Sequence, residues 1–330
     1  MSSEASAEPI QHLISVVIVN YNGLRFLSEC LSTLSSQAFL RYPYEIIVVD
    51  NASSDGSQDF LRHYPGITYI ESPVNTGFTG GNNIGVKAAK GDIVFLLNND
   101  TRVETCLDPM IEELLQPAVG VVGCQLRYGD GRIQFSTGHE HTPLRVVFSW
   151  LGVEKWSRLP TLFRRLETHI GFYERPHRQL AWVSGAALMT RTVLWRQLQG
   201  LDEAFFMYCE DVDYCRRVRD KGFSISYLPQ VRITHYEGAG KEWIGRHALL
   251  RTTRSYTLYV AKHFGLASSR LMACGLSVIF LLRALAFHFM SGIASEANRR
   301  RIFKEKAGAF YQAGKTLMHS ASCGQPPKLP

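Results

Sequence analysis

Three observations predict an α/β fold with a mostly parallel central sheet and helices on both faces. Apolar, β-branched runs recur at 13–20 (LISVVIVN), 44–50 (YEIIVVD) and 93–97 (IVFLL). Segments of helical spacing or turn residues separate them. Each run stops in an amide or carboxylate cluster. Strands buried on both faces read as continuous apolar runs, and their exchange with helices is the pattern of a parallel sheet. In such a sheet the carboxyl ends of the strands form the ligand-binding edge.

The elements follow in order. Residues 1–12, MSSEASAEPIQH, are polar and acidic, with no basic or apolar leader region. They predict a disordered start, not a secretory signal. LISVVIVN is the first strand. Leu24, Leu27, Leu31 and Leu34 share one stripe and predict a helix over 24–38. YEIIVVD is the second strand, and Asp55 caps a short helix running to His63. ITYIE (67–71) is the third. A glycine-rich turn leads into a helix near 80–90, DIVFLL (92–97) is the fourth strand, and VGVVGC (119–124) continues the sheet.

Between 125 and 180 the pattern breaks into turn signals, HEH at 139–141 and a basic stretch with Lys155, Arg158, Arg164, Arg165, Arg175 and Arg178. Irregular or loosely helical structure is expected. His139 and His141 lack helical ligand spacing and are expected in a surface loop. WVSGAALMT (182–190) resumes a buried segment, 209–221 reads as a charged helix and FSISYLP (223–229) as a strand.

Charge divides the chain. Residues 241–330 carry 14 Lys and Arg against 3 Asp and Glu, a net +11 in a protein of net +7. This predicts a main domain over 13–240 and a basic helical extension over 241–330 that meets phosphates. Within it, 270–294 is strongly apolar. Its uninterrupted run, 271–282, is short of the ~20 residues that span a bilayer. NRRRIFKEK (298–306) follows. Such a helix with basic flanks is expected to lie on an anionic membrane surface. Its other possible home is the protein interior or a homodimer interface. Nucleic acid is not expected as a partner, since it would call for basic residues interleaved with exposed aromatics. The seven cysteines form no C-x-x-C pair and are odd in number, which fits a reducing cytoplasm better than a disulfide framework.

Four clusters punctuate the strand ends: Asn20-Tyr21-Asn22-Gly23, Asp50 to Gly56 (DNASSDG), Asn75 to Gly85 (NTGFTGGNNIG) and Asn98-Asn99-Asp100. In a parallel sheet they lie on one edge and can converge. Tyr21 offers a stacking face for a base, Asp50 can accept from a base N–H or ribose hydroxyl, and the glycines admit a sugar or phosphate to the backbone. Oxygen ligands at the fourth strand end suit Mg²⁺ or Mn²⁺ bridging to phosphate. The dinucleotide fingerprint and the P-loop motif are both absent. Nucleotidyltransferases place a glycine- and arginine-rich loop after the first strand; here that position is NYNG.

VVIVNYNG, IIVVDNASSDGS, NTGFTGGNN, FLLNNDT and, further on, FFMYCEDVDYCRR with ITHYEGAG resemble the motifs of family 2 glycosyltransferases of the GT-A fold. The nearest branch is the rhamnosyltransferase-like enzymes of bacterial cell-surface polysaccharide assembly. The resemblance covers roughly residues 13–240. It implies inverting transfer from a dTDP- or UDP-sugar, dTDP-L-rhamnose among them, to a glycan or polyprenyl-linked acceptor, with a divalent metal (Mg²⁺ or Mn²⁺). Tyr21, Asn22, Asp50, Asn75, Gly77, Asn83, Asn99 and Asp100 would hold the nucleotide sugar. Asp100 takes the place of the last carboxylate in the family's D-x-D and would hold the metal with His235; Asn98 replaces the first Asp. Asp211 would be the general base, since inversion needs a carboxylate to take the acceptor proton. Glu210 would orient the acceptor, and Trp182 would stand in the acceptor-side wall. Asp213, two residues on from Asp211, points elsewhere on the helix and is expected to cap it or to form a salt bridge with Arg216 or Arg217. The implied location is cytoplasmic, peripheral on the inner face of the cell membrane. A catalytically inactive nucleotide-sugar-binding protein is the alternative; intact Asp100, Asp211 and His235 argue against it.

Overall fold

The computed structural model describes residues 12–35, 39–152, 160–236 and 245–323. The elements are β1 (Ile14–Asn20), α1 (Leu24–Leu34), β2 (Tyr44–Asp50), α2 (Ser57–His63), β3 (Thr68–Glu71), α3 (Gly77–Ala88), β4 (Ile93–Asn98), β5 (Thr101–Val103), α4 (Asp108–Leu114), β6 (Val119–Arg127), β7 (Thr137–Gly138), α5 (Pro143–Leu151), β8 (Trp182–Val183), β9 (Ala187–Arg191), α6 (Thr192–Gln197), α7 (Glu210–Asp220), β10 (Ser224–His235), α8 (Gly245–Phe264), α9 (Leu266–Ile293) and α10 (Ala297–Cys323).

One eight-stranded sheet runs β3-β2-β1-β4-β9-β6-β10-β5, and a two-stranded sheet pairs β7 with β8. β1 pairs in parallel with both β2 and β4. The chain leaves β1 toward β2 and β3, then returns to β4 on the other side. The carboxyl ends of β1 and β4 therefore flank a topological switch point, where a crevice opens. β9 slots in antiparallel between β4 and β6, and β5 closes the edge antiparallel to β10. The apolar run after Trp182 is thus a reversed strand.

The sheet is covered on both faces because its strands are apolar on both. On one side Ile18, Val48 and Phe95 pack against Leu27 and Leu31 of α1 and Met110 and Ile111 of α4. On the other, Val17, Ile47 and Leu96 join a core that continues through Val212 of α7 to Leu249, Tyr259, Leu276, Phe280 and Leu317 of the C-terminal helices. The basic extension shares this core with the sheet.

The glycine-rich segment expected as a turn already belongs to α3. Gly77 has φ +75°, and a Cβ there would lie 2.2 Å from the Phe206 carbonyl oxygen. Cβ atoms at Gly81 and Gly85 would strike Val19 and Val17 at 2.6 and 2.4 Å, so these glycines let α3 lie close on β1. The first helix ends at Leu34. In the irregular region Thr142 caps α5 by accepting from the Arg145 N–H. His141 corrects the surface-loop expectation: it is 1% exposed, walled in by Trp182, Tyr256 and Tyr259. Residues 1–11, with most of the expected disordered start, lie outside the described residues, as do the 240/241 boundary, Lys155 and Arg158.

The apolar run at 270–294 is part of a 28-residue helix, α9. It forms a hairpin with α10: Arg270 donates to the carbonyls of Ala321 and Ser322 at one end, while Phe287 stacks on Phe303 and Phe310 near the other. Met272, Leu276 and Phe280 are buried, whereas Leu271, Val278, Leu282, Leu285, Phe289 and Ile293 are exposed. Among the described residues α9 alone is long and apolar enough to cross a membrane.

Candidate active site

The four strand-end clusters converge and bond to one another. The Asn20 amide donates to Asp50 Oδ2 at 2.8 Å and to Ser53 Oγ at 3.1 Å, and Asn20 Oδ1 accepts from Asn99 at 2.7 Å. Asn51 donates to the Gly77 carbonyl at 2.8 Å and accepts from the Thr76 N–H at 3.0 Å. The Gly77 N–H is held by Asn75 Oδ1 at 2.9 Å. Asn20, Asp50 and Asn51 are buried, and a buried polar network costs little when its members are satisfied.

Above this network a cavity of about 540 Å³ opens. Tyr21, Asn75, Gly77, Asn99 and Asp100 line one end, with Tyr21 half-exposed and its ring free to stack. Trp182, Glu210, Asp211 and His235 also line the wall. Three expected nucleotide residues stand outside it. Asp50 is fully buried beneath, accepting from the Ser53 N–H at 2.9 Å. Asn22, at φ 52°, accepts from the Ser54 N–H. Asn83 spends its amide on both backbone groups of Leu201 and on Glu203, so it pins the 201–203 segment to α3.

At the end of β10, His235 Nε2 lies 3.3 Å from Asp100 Oδ1 and 3.0 Å from Asn98 Nδ2. Its Nδ1 faces Gln134 Oε1 at 2.9 Å, which orients the ring. A carboxylate oxygen and an imidazole nitrogen so juxtaposed form a donor pair that fits a divalent cation. No group of three or more His, Cys, Asp or Glu ligands occurs among the described residues. The remaining ligands would come from phosphate and water.

The opposite wall is the N-terminus of α7. The chain enters it through two left-handed residues, Tyr208 (φ 73°) and Cys209 (φ 67°). Phe78 N–H to the Phe206 carbonyl at 3.0 Å and Ser255 Oγ to the Met207 carbonyl at 2.9 Å hold this strained approach. Asp211 Oδ2 accepts from the Gly185 N–H at 2.9 Å and Oδ1 from its neighbour Val212 at 2.8 Å. Burial raises the Asp211 carboxyl, and these N–H groups partly oppose the rise. Burial, then the adjacent Asp211, drive Glu210 well above the ordinary carboxylate range. Its Oε2 is buried without a partner in the structure.

Asp213, one turn on, behaves oppositely. Burial alone would raise it, but His263, Arg217 and Lys262 hold it down at about 2. Arg217 Nε approaches at 2.7 Å, and Lys262 Nζ and His263 Nε2 each at 2.8 Å. The expected Arg217 bridge is there, within a larger knot that ties α7 to α8.

Several wall residues lie outside the family motifs. His141, Arg165, Arg251, Thr252 and Tyr256 all line the cavity. Burial, then the charge of Arg165, keep His141 well below its usual value and therefore neutral near pH 7. The HEH run and the basic stretch were the available signals, but neither tells which side chain turns inward.

A crevice at the switch point holds the Asp100–His235 pair and the half-buried Asp211 carboxylate in its wall. Comparison with known proteins assigns the family. Residues 15–195 match the family described as Glycosyl transferase family 2, and the chain belongs to that family. N-acetylglucosaminyl-diphospho-decaprenol L-rhamnosyltransferase of Mycobacterium tuberculosis is 26% identical over 239 residues, covering 68% of this chain and 76% of that protein. Rhamnosyltransferase WbbL of Escherichia coli K12 is 24% identical over 241 residues, covering 68% and 83%. Among solved structures, the mannosyltransferase PcManGT of Pyrobaculum calidifontis, in complex with GDP-Man and Mn²⁺, superposes with a TM-score of 0.53 at 16% identity, covering 93% of this chain and 86% of that one. At that identity the likeness concerns the fold.

Proposed function

We propose that this enzyme is an inverting glycosyltransferase. It moves a hexose from a dTDP- or UDP-sugar, with dTDP-L-rhamnose the first candidate, to a glycan or polyprenyl-linked acceptor of cell-surface polysaccharide. The observation that carries the reading is the Asp211 carboxylate, half-buried in the wall of the cavity that also presents Asp100 and His235. The names of the mycobacterial and E. coli relatives support the sugar, and the mycobacterial name supports a lipid diphosphate acceptor.

In this reading Tyr21, Asn75, Gly77 and Asn99 hold the nucleotide and sugar, with Asp50 and Asn22 fixing the loops beneath them. With Mg²⁺ or Mn²⁺ bound by Asp100 and His235, charge on the departing diphosphate would be neutralised. Asp211 takes the acceptor hydroxyl proton as that oxygen attacks the anomeric carbon. The bond to the diphosphate breaks on the opposite face. Trp182 and Glu210 orient the acceptor. Purified protein screened against nucleotide sugars, with and without Mn²⁺ or Mg²⁺, tests this by release of nucleoside diphosphate. Full activity in excess EDTA would remove the metal from the scheme.

The location proposed is the cytoplasmic face of the membrane. The exposed Leu282, Leu285, Phe289 and Ile293 stand near the hairpin tip, beside exposed Arg299, Arg300, Arg301 and Lys304. Each basic residue at an anionic surface contributes about 1 kcal/mol, and apolar burial adds to it. Full-length protein should float with anionic liposomes, less so in high salt, and F289E should float less. Protein that stays soluble and elutes as a dimer would assign this face to a second copy.

A further inference from the structure

The cavity wall contains two arginines in different circumstances. Arg165 is engaged with its neighbours: Nη1 lies 3.3 Å from His141 Nε2, and Cζ lies 5.5 Å from the Tyr256 ring centroid. Arg251 sits on α8, outside the family-matched segment. Its Cζ lies 4.8 Å from the Phe206 ring centroid. The side chain is half-buried, and no described carboxylate pairs with it. Three other basic residues of α8 are committed: Arg254 donates to the Ala204 carbonyl, Lys262 to Asp202 and Asp213, and His263 meets Asp213, while Arg246 and His247 are exposed.

A guanidinium beside an aromatic ring face keeps N–H groups available for further hydrogen bonds. Its fork of N–H groups matches two oxygens of a phosphate. The rest of the wall calls for such a group. Asp100, Glu210 and Asp211 all face the cavity, yet a nucleoside diphosphate brings more negative charge than one divalent cation cancels. We propose that Arg251 is a phosphate-binding residue of the catalytic cavity, supplied by the C-terminal helices. This rests on the transferase reading of the cavity.

Two substrate phosphates could meet it: the donor diphosphate, or the phosphate of a lipid-linked acceptor. Phe206 sits at the seam between them. Its carbonyl accepts from Phe78 on the donor side, and it leads directly into the Tyr208–Asp211 wall.

Calorimetry on full-length protein with Mn²⁺ separates the sources, using UDP and dTDP in one arm and farnesyl diphosphate in the other. Arg251→Gln should weaken one arm about tenfold or more, the scale of a lost charge-assisted hydrogen bond. Arg251→Lys, which keeps the charge but not the fork, should fall between. A loss confined to the nucleotides assigns the donor; a loss confined to farnesyl diphosphate assigns the acceptor. Unchanged affinity in both arms overturns the inference alone. Wild type that binds neither probe overturns the transferase reading and this inference with it. If Arg251→Gln does not fold, Arg251→Lys decides: weaker binding supports the assignment and unchanged binding ends it.

Discussion

The two ends of the cavity are built on opposite principles. At the end lined by the strand clusters, Asn20 bonds both Asp50 and Asn99 and Asn51 bonds Gly77, and their geometry is set before any ligand arrives. At the α7 end, a buried Glu210 stands beside a half-buried Asp211, one oxygen of Glu210 has no partner among the described residues, and the approach runs through two left-handed residues. Binding rewards a finished scaffold, because ordering it at the moment of binding would cost affinity. Proton transfer rewards a carboxylate whose affinity for the proton has been raised. The stability lost at the α7 end is recovered one turn away, where Asp213 is tied to Arg217, Lys262 and His263.

Substitutions should separate the two ends. The largest effect is expected from Asp211→Asn, nearly isosteric but unable to take the proton. Transfer should fall by about two orders of magnitude or more, while UDP or dTDP affinity stays as in wild type. A larger loss from Asp213→Asn, measured in the same assay on folded protein, would mean that the wrong carboxylate has been named. Next comes Asp50→Ala. It removes the acceptor of the Asn20 and Ser53 bonds, so nucleoside diphosphate affinity should drop about tenfold. Calorimetry showing no change would detach the nucleotide from this edge.

The smallest effect, and the sharpest test of the contrast, is on stability against pH. Glu210 has a raised carboxyl in the folded state. Between its ordinary value and that raised value the folded form holds the extra proton, so stability falls as pH rises through the window. Glu210→Gln should therefore melt higher than wild type at neutral pH, with the gap closing in acid. Asp213 runs the other way. Its folded value is about 2, so its contribution is present above the unfolded carboxylate value and lost as pH falls toward 2. Asp213→Asn should melt lower at neutral pH, again with the gap closing in acid. Parallel melting curves for both variants across pH would erase the distinction between the ends.

Local periodicity and strand-end chemistry made much of this legible in the sequence. The alternation of apolar runs with helices, the convergence of the four clusters and the Arg217 partner of Asp213 depend on spacing within a few residues or on the shared edge of a parallel sheet; the pairing of Asp100 with His235 is what the resemblance to the family's motifs implies. Tertiary structure alone decided the rest. β9 runs backward between β4 and β6, a choice made by strand partners drawn from distant segments. His141 is buried because Trp182, Tyr256 and Tyr259 close over it from 41 to 118 positions away. Asn83 bonds Leu201, and Arg251 reaches the cavity from α8. A side chain's period along the chain says which face of its element it occupies. What that face meets depends on packing between segments far apart, and that packing brings Arg251 to the cavity and buries His141.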